Sequence, residues 1–121
     1  MSPADFTARH AAALLAADAD AVAALYTDDA VLVALDGVAE GRDAVRDRYA
    51  TFFEYHGTIA SAETTHSQTT ADAAFTRLSL QSDRGAFSLV NVFEIDGDAC
   101  RRHFSNEIEV TLNRDEVERD M

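Results

Sequence analysis

The chain has no lysine, a single cysteine and no apolar run long enough to span a membrane. Each absence excludes something. Ten arginines are the whole basic complement, set against 22 aspartates and glutamates, for a formal charge of −12. A surface with that balance repels phosphate backbones and anionic lipid. Nucleic acid and membranes are therefore not expected as main partners. The excess carboxylates also repel one another, a repulsion that concentrated salt screens. The composition thus suits a salt-rich host as well as plain solubility. Cys100 has no second cysteine to pair with, as in a reducing compartment. The opening Met-Ser-Pro-Ala-Asp lacks the basic start of a secretion signal, so the expected location is the cytoplasm. His10, His56, His66 and His103 show no metal-ligand spacing. There is no glycine-rich phosphate loop and no nucleophile elbow. No metal and no cofactor is expected.

What is present is a chain of 121 residues, 47% of them apolar. That is one domain's length, and enough to bury roughly 65% of the unfolded surface around a single core. Ser2, Pro3 and Asp5 are a helix start: a cap, a proline in the first turn and an acid near the positive end. The stripe Phe6, His10, Ala13, Leu14, Ala17 has helical spacing. Asp18 or Asp20 caps a second short helix carrying Val22, Leu25 and Tyr26, with Tyr26 read as a packing residue that closes it. Residues 30–35 form a short apolar strand ending in the turn signal Asp36-Gly37. Gly41 opens a third helix with an inward stripe of Val45, Tyr49, Phe52, Phe53 and, at its end, His56; Gly57 stops it.

The remainder is β-rich, with strands expected over 58–70, 73–82, 86–95 and 99–112. Asp83-Arg84 and Asp96-Gly97 read as two-residue hairpin turns. The charged segment 113–121 is expected to fray or form a surface helix, leaving 1–112 as the domain. The first turn pairs Leu80 with Phe87, Leu78 with Leu89 and Thr76 with Asn91. The second pairs Phe93 with Cys100, Asn91 with Arg102 and Leu89 with Phe104. In that register the apolar phases coincide, and Asn106 falls on the same face. A polar row Thr76–Asn91–Arg102 then crosses an apolar surface. Unpartnered buried amides cost about 1–3 kcal/mol. The row is therefore either a closed hydrogen-bond network or the wall of a wet cavity. His66 and His103 fall on strands outside it.

Two segments, Ala-Leu-Tyr-Thr-Asp-Asp-Ala-Val (24–31) and Gly-Arg-Asp-Ala-Val (41–45), with helices first and four antiparallel strands after, resemble the nuclear transport factor 2-like superfamily. That group includes ketosteroid isomerases and SnoaL-like polyketide cyclases. The resemblance covers residues 5 to about 110. It implies an α+β cone-like roll, three helices packed on a curved, mainly antiparallel sheet. It also implies a central pocket for a small, largely apolar molecule and a homodimer through the sheet's outer face. Ketosteroid isomerases place a hydrogen-bond donor, a carboxylate base and a second acid at positions that look like His10, Ala34 and Asn91. Alanine cannot move a proton, so that mechanism does not transfer.

Two readings follow. In one, the chain is a cofactor-free isomerase, cyclase or lyase, with His10 as base and Asn91 with Tyr49 stabilising an enolate-like oxygen. In the other, it is a non-catalytic ligand-binding or dimeric interaction module. The expected wall is Phe6, Val45, Phe53, Leu89, Phe93 and Phe104, with polar contacts from His10, Tyr49, Asn91, Arg102 and Asn106. A third outcome is a cavity closed by Phe52, Phe53 and Phe104. His10 also reads as an ordinary core histidine, Tyr49 as a core aromatic, and Arg102 as a neutraliser of nearby acids. Asp36 and Glu40 lie where they could replace the missing base.

Overall fold

The computed structural model describes residues 2–113; the charged tail from 114 onward lies outside the described residues. Helix α1 (Pro3–Ala16) begins on a reciprocal cap. The Asp5 amide donates to Ser2 Oγ at 3.1 Å, and the Ser2 amide to Asp5 Oδ2 at 3.0 Å. The buried side of α1 is Phe6, His10, Ala13 and Leu14. Asp18 caps α2 (Ala19–Ala23) through the Ala21 amide. Strand β1 (Tyr26–Ala34) folds back through the Asp36 turn onto β2 (Gly37–Glu40). Helix α3 (Arg42–His56) buries Val45, Tyr49, Phe53 and His56. Strands β3 (Ile59–Thr69), β4 (Ala73–Ser82), β5 (Gly85–Asp96) and β6 (Ala99–Leu112) form an antiparallel meander. The sheet order is β2-β1-β6-β5-β4-β3, with β1 and β6 the one parallel pair. Helix α1 packs on β3 and β4, and α3 on β1 and β2.

Two corrections concern this part of the chain. Tyr26 does not close the second helix; it begins β1, which starts earlier than the apolar run suggested. Strand β2 has only four residues, too few for alternation to register. The two segments that carry the family resemblance hold each other. Arg42 Nε and Nη2 donate to the Tyr26 carbonyl at 3.0 and 2.9 Å, and Nη1 meets Asp28 Oδ1 at 2.7 Å. The Gly41 amide donates to the Ala30 carbonyl at 2.7 Å. Gly41 takes φ 93°, a conformation that only glycine adopts without strain. The start of α3 is thereby fixed to the start of β1, and with it the position of Tyr26.

The β4–β5 hairpin has the expected register: Leu80 opposite Phe87, Leu78 opposite Leu89, Thr76 opposite Asn91. The β5–β6 hairpin does not. Its turn pairs Asp96 with Ala99, so Ile95 meets Cys100, and a bulge then lets Glu94 meet Arg102. The extra residue on β6 is Arg101. A bulge of one residue reverses the side-chain phase beyond it. Inward from there come His103, Ser105 and Glu107; outward go Arg102, Phe104 and Asn106. A second bulge lies opposite residues 86–88, where Glu109 takes φ 54°.

The same registers define the outer face. Val38, Val33, Phe104, Val92 and Phe75 are cross-strand neighbours in sequence, forming one apolar row over five strands. Val38, Phe104 and Val92 are exposed. Charged residues flank the row, with Arg102 near Glu94 on one side and Arg77 bound to Glu109 on the other.

Candidate functional site

The polar groups on the inner face form a continuous chain of hydrogen bonds. His10 Nε2 lies 3.1 Å from the Tyr49 hydroxyl, and that hydroxyl 3.2 Å from the Tyr26 hydroxyl. Tyr26 is 2.7 Å from His103 Nδ1, and His103 Nε2 is 2.7 Å from Asn91 Oδ1. Ser105 Oγ donates to the same oxygen at 2.9 Å, and Asn91 Nδ2 reaches Thr76 Oγ1 at 3.4 Å. His10, Tyr26, Tyr49, Thr76, Asn91 and His103 are all buried. Apart from Ser105 on the inner side of β6, no member is open to water.

Donor and acceptor counting gives the chain one direction. An amide oxygen only accepts, so His103 Nε2 carries a hydrogen and Nδ1 is the acceptor. Tyr26 therefore donates to Nδ1 and accepts from Tyr49, and Tyr49 accepts from His10 Nε2–H. The electrostatics agree. Burial pushes His10 down to about 3 from its ordinary 6.5. Burial, with the charges of His10 and Arg48 nearby, holds His103 well below the usual range. Both rings are neutral at pH 7, as the counting requires. Burial raises both tyrosines, Tyr26 also through the facing Tyr49 and Cys100. Cys100 is likewise pushed up to about 12, chiefly by burial, so its thiol is not a nucleophile at pH 7.

Two residues of this chain, Tyr49 and Ser105, also border open space. A cavity of about 60 Å³ is lined by Leu32, Arg48, Tyr49, Phe52, Leu89, Ser105 and Glu107. By the usual requirement per water, that is room for about four waters or a ligand of a few heavy atoms. Leu32, Phe52 and Leu89 supply apolar wall. Tyr49 and Ser105 line it too, with hydroxyls bonded into the buried chain. Arg48 and Glu107 supply opposite charges. Arg48 is bound to Asp36, whose carboxyl it holds below the usual range. Glu107 Oε1 accepts from His56 Nε2 at 2.8 Å.

The expected site residues divide into four groups. Tyr49 and Leu89 line the cavity. His10 and Asn91 join the chain behind it, and neither borders it. Phe6, Val45, Phe53 and Phe93 belong to the dry core; Phe6 packs edge-on to Phe93 at 4.9 Å. Three residues are placed wrongly by the sequence reading, all because of the Arg101 bulge. Arg102 is on the outer face and more than half exposed. Phe104 is 42% exposed in the outer apolar row. Asn106 turns outward and accepts from the Leu35 amide at 2.9 Å, which pins the end of β1. The expected row Thr76–Asn91–Arg102 is therefore Thr76–Asn91–Ser105, with His103 beside it. His103, read as lying outside the pocket, is at the centre of the chain, and Tyr26 is its partner rather than a packing residue. Neither Asp36 nor Glu40 borders the cavity. One signal pointed to the true register: the straight reading buried an arginine, which a bulge exchanges for a histidine. Among the described residues, no group of three or more His, Cys, Asp or Glu side chains is placed to hold a metal. No described helix is long and apolar enough to cross a membrane.

This architecture, three helices and a curved, mostly antiparallel six-stranded sheet, is that of the nuclear transport factor 2-like superfamily. The chain belongs to the SnoaL-like domain family, whose profile matches residues 7–103. A cystatin-fold protein from Novosphingobium aromaticivorans is 26% identical, with a TM-score of 0.73 over 87% of this chain and 97% of that one. A ketosteroid isomerase-like protein from Erwinia carotovora atroseptica is 25% identical, with a TM-score of 0.66 over 90% and 95%. A protein from Sphaerobacter thermophilus, at 20% identity, shares the fold with a TM-score of 0.75 over 91% and 99%. No protein of curated function matches the chain.

Proposed function

We propose that the chain binds a small, largely apolar molecule in the cavity over Tyr49 and Ser105 and acts on it without a cofactor, as an isomerase, cyclase or lyase. One observation carries this reading: Tyr49 both lines the cavity and is bonded through its hydroxyl into the buried chain. A ring whose hydroxyl is held by two buried neighbours presents a fixed wall to a ligand. His10 then supports Tyr49 from behind instead of acting as a base, since its Nε2 is occupied and its ring neutral. Pockets of this type combine apolar walls with a few fixed polar groups.

The alternative, a non-catalytic binding or interaction module, is favoured by Ala34 at the position of the family's base. Binding is tested with methyl-labelled protein titrated with cyclopentanone, a small ketone. The expected result is movement of the Leu32 and Leu89 methyl signals while those of Leu14 and Leu78, deep in the core, stay still. Shifts confined to other methyls, or none, would contradict the reading.

We further propose that two copies pair through the outer face, burying the row Val38–Val33–Phe104–Val92–Phe75. The apolar centre with a charged rim has the anatomy of a specific interface. Phe104→Asp places a charge in the middle of the row. Sedimentation velocity is expected to show a dimer for the native chain and a monomer for this variant. A native chain that sediments as a monomer at high concentration would contradict the pairing.

A further inference from the structure

The cavity holds one carboxylate, and its surroundings are unusual. Glu107 lies on the inward phase of β6, opposite Leu89. Its Oε1 is taken by His56, while Oε2 has no partner among the described residues. His56 is 96% buried at the last turn of α3. Its ring lies between Phe87, stacked at 4.2 Å, and Phe52 at 4.5 Å. Its Nδ1 is buried with no hydrogen-bond partner. A buried unsatisfied group costs about 1–3 kcal/mol, so stability alone does not account for a histidine there. A hydrocarbon side chain would fill that aromatic slot without the cost. What the imidazole does provide is a rigid N–H aimed at the carboxylate of Glu107.

We propose that Glu107, held in place by His56, is the general base of this cavity, taking a proton from the carbon beside the carbonyl of a small ketone. The proposal rests on the cavity-binding reading above. Proton and electrons balance within the site. The C–H pair becomes the carbon–carbon bond of an enolate, the carbonyl π pair moves to oxygen, and the proton rests on Glu107. The donor for that oxygen is the Arg48 guanidinium, which lines the same cavity; the Tyr49 hydrogen stays donated to Tyr26. Return of the proton to the same carbon exchanges it with solvent; return to another carbon isomerises the ligand. No oxidant, reductant or further reactant is needed. In this arrangement the base comes from β6 and not from β1, where Ala34 stands. His56 is a positioning residue, since it reaches the ligand only through Glu107.

The test follows hydrogen exchange at the α-carbon of cyclopentanone in D2O by NMR, with the Leu32 and Leu89 methyl signals reporting binding in the same sample. The native chain is expected to accelerate exchange over buffer, and Glu107→Gln to reduce that acceleration by about 100-fold or more while the methyl shifts persist. His56→Leu should slow exchange with binding intact, and His56→Gln, which restores an N–H donor, should recover most of it. Binding with no exchange above buffer, or exchange that survives Glu107→Gln, would overturn the role of Glu107 and leave the binding reading standing. Absence of methyl shifts would overturn both.

Discussion

Between pH 6.5 and pH 5 the protein is expected to lose about 2 kcal/mol of folding stability through His10 alone, with His103 adding a loss of the same sign. In the unfolded chain His10 titrates near 6.5; in the fold, burial moves it to about 3. Between those values the unfolded state binds a proton that the folded state refuses. Stability contributed by the depressed group is thus fully present above 6.5 and falls by about 1.4 kcal/mol per pH unit toward 3. The carboxylates pull in the opposite direction. Protonating them relieves the self-repulsion of a chain with formal charge −12. The histidine term is therefore isolated by comparison with His10→Gln, which keeps an N–H for Tyr49 but does not titrate. Urea midpoints of the two proteins should converge as pH falls, the native chain losing about 2 kcal/mol more than the variant by pH 5. Parallel curves would mean that His10 is not buried and neutral.

The second large effect is expected at Asn91. Its amide oxygen accepts from both His103 Nε2 and Ser105 Oγ, and its nitrogen reaches Thr76. Asn91→Leu is close in size and suits the Phe93 and Leu89 neighbourhood, so the loss is of partners rather than volume. The His103 N–H cannot turn elsewhere without breaking its bond from Tyr26. Leaving that donor and at least one hydroxyl unpaired in a dry site should cost about 3 kcal/mol or more. Chemical denaturation measures it directly. A cost under about 1 kcal/mol would show that the chain reorganises freely and is no rigid support for Tyr49.

Most of the architecture was legible because its signals are local. The Ser2-Pro3-Asp5 start, the Gly57 stop and the Asp83-Arg84 turn each act within a few residues, and each is found where expected. The hydrophobic stripes of α1 and α3 placed His10 and Tyr49 inward correctly. What alternation could not reveal was a break in its own period. The Arg101 bulge sends Arg102, Phe104 and Asn106 outward and brings His103, Ser105 and Glu107 in. Apart from the arginine that straight alternation would bury, the local sequence does not mark it, because a bulge at this point is paid for by tertiary contacts: His103 with Tyr26 and Asn91, 77 and 12 residues away. Tyr26 was missed for a related reason. Its strand begins within an Ala-Leu-Tyr segment that continues the helical pattern, and it is turned into β1 by Arg42, sixteen residues on.

The pH dependence and the cost at Asn91 both arise from one object, the chain from His10 through Tyr49, Tyr26 and His103 to Asn91. Nitrogen NMR of the two imidazole rings at pH 5 tests it most directly. The prediction is one protonated and one bare nitrogen in each ring, with Nε2 protonated in both, unchanged from pH 7. Imidazolium signals in His10 or His103 at pH 5, or hydrogens on Nδ1 of His103, would contradict it.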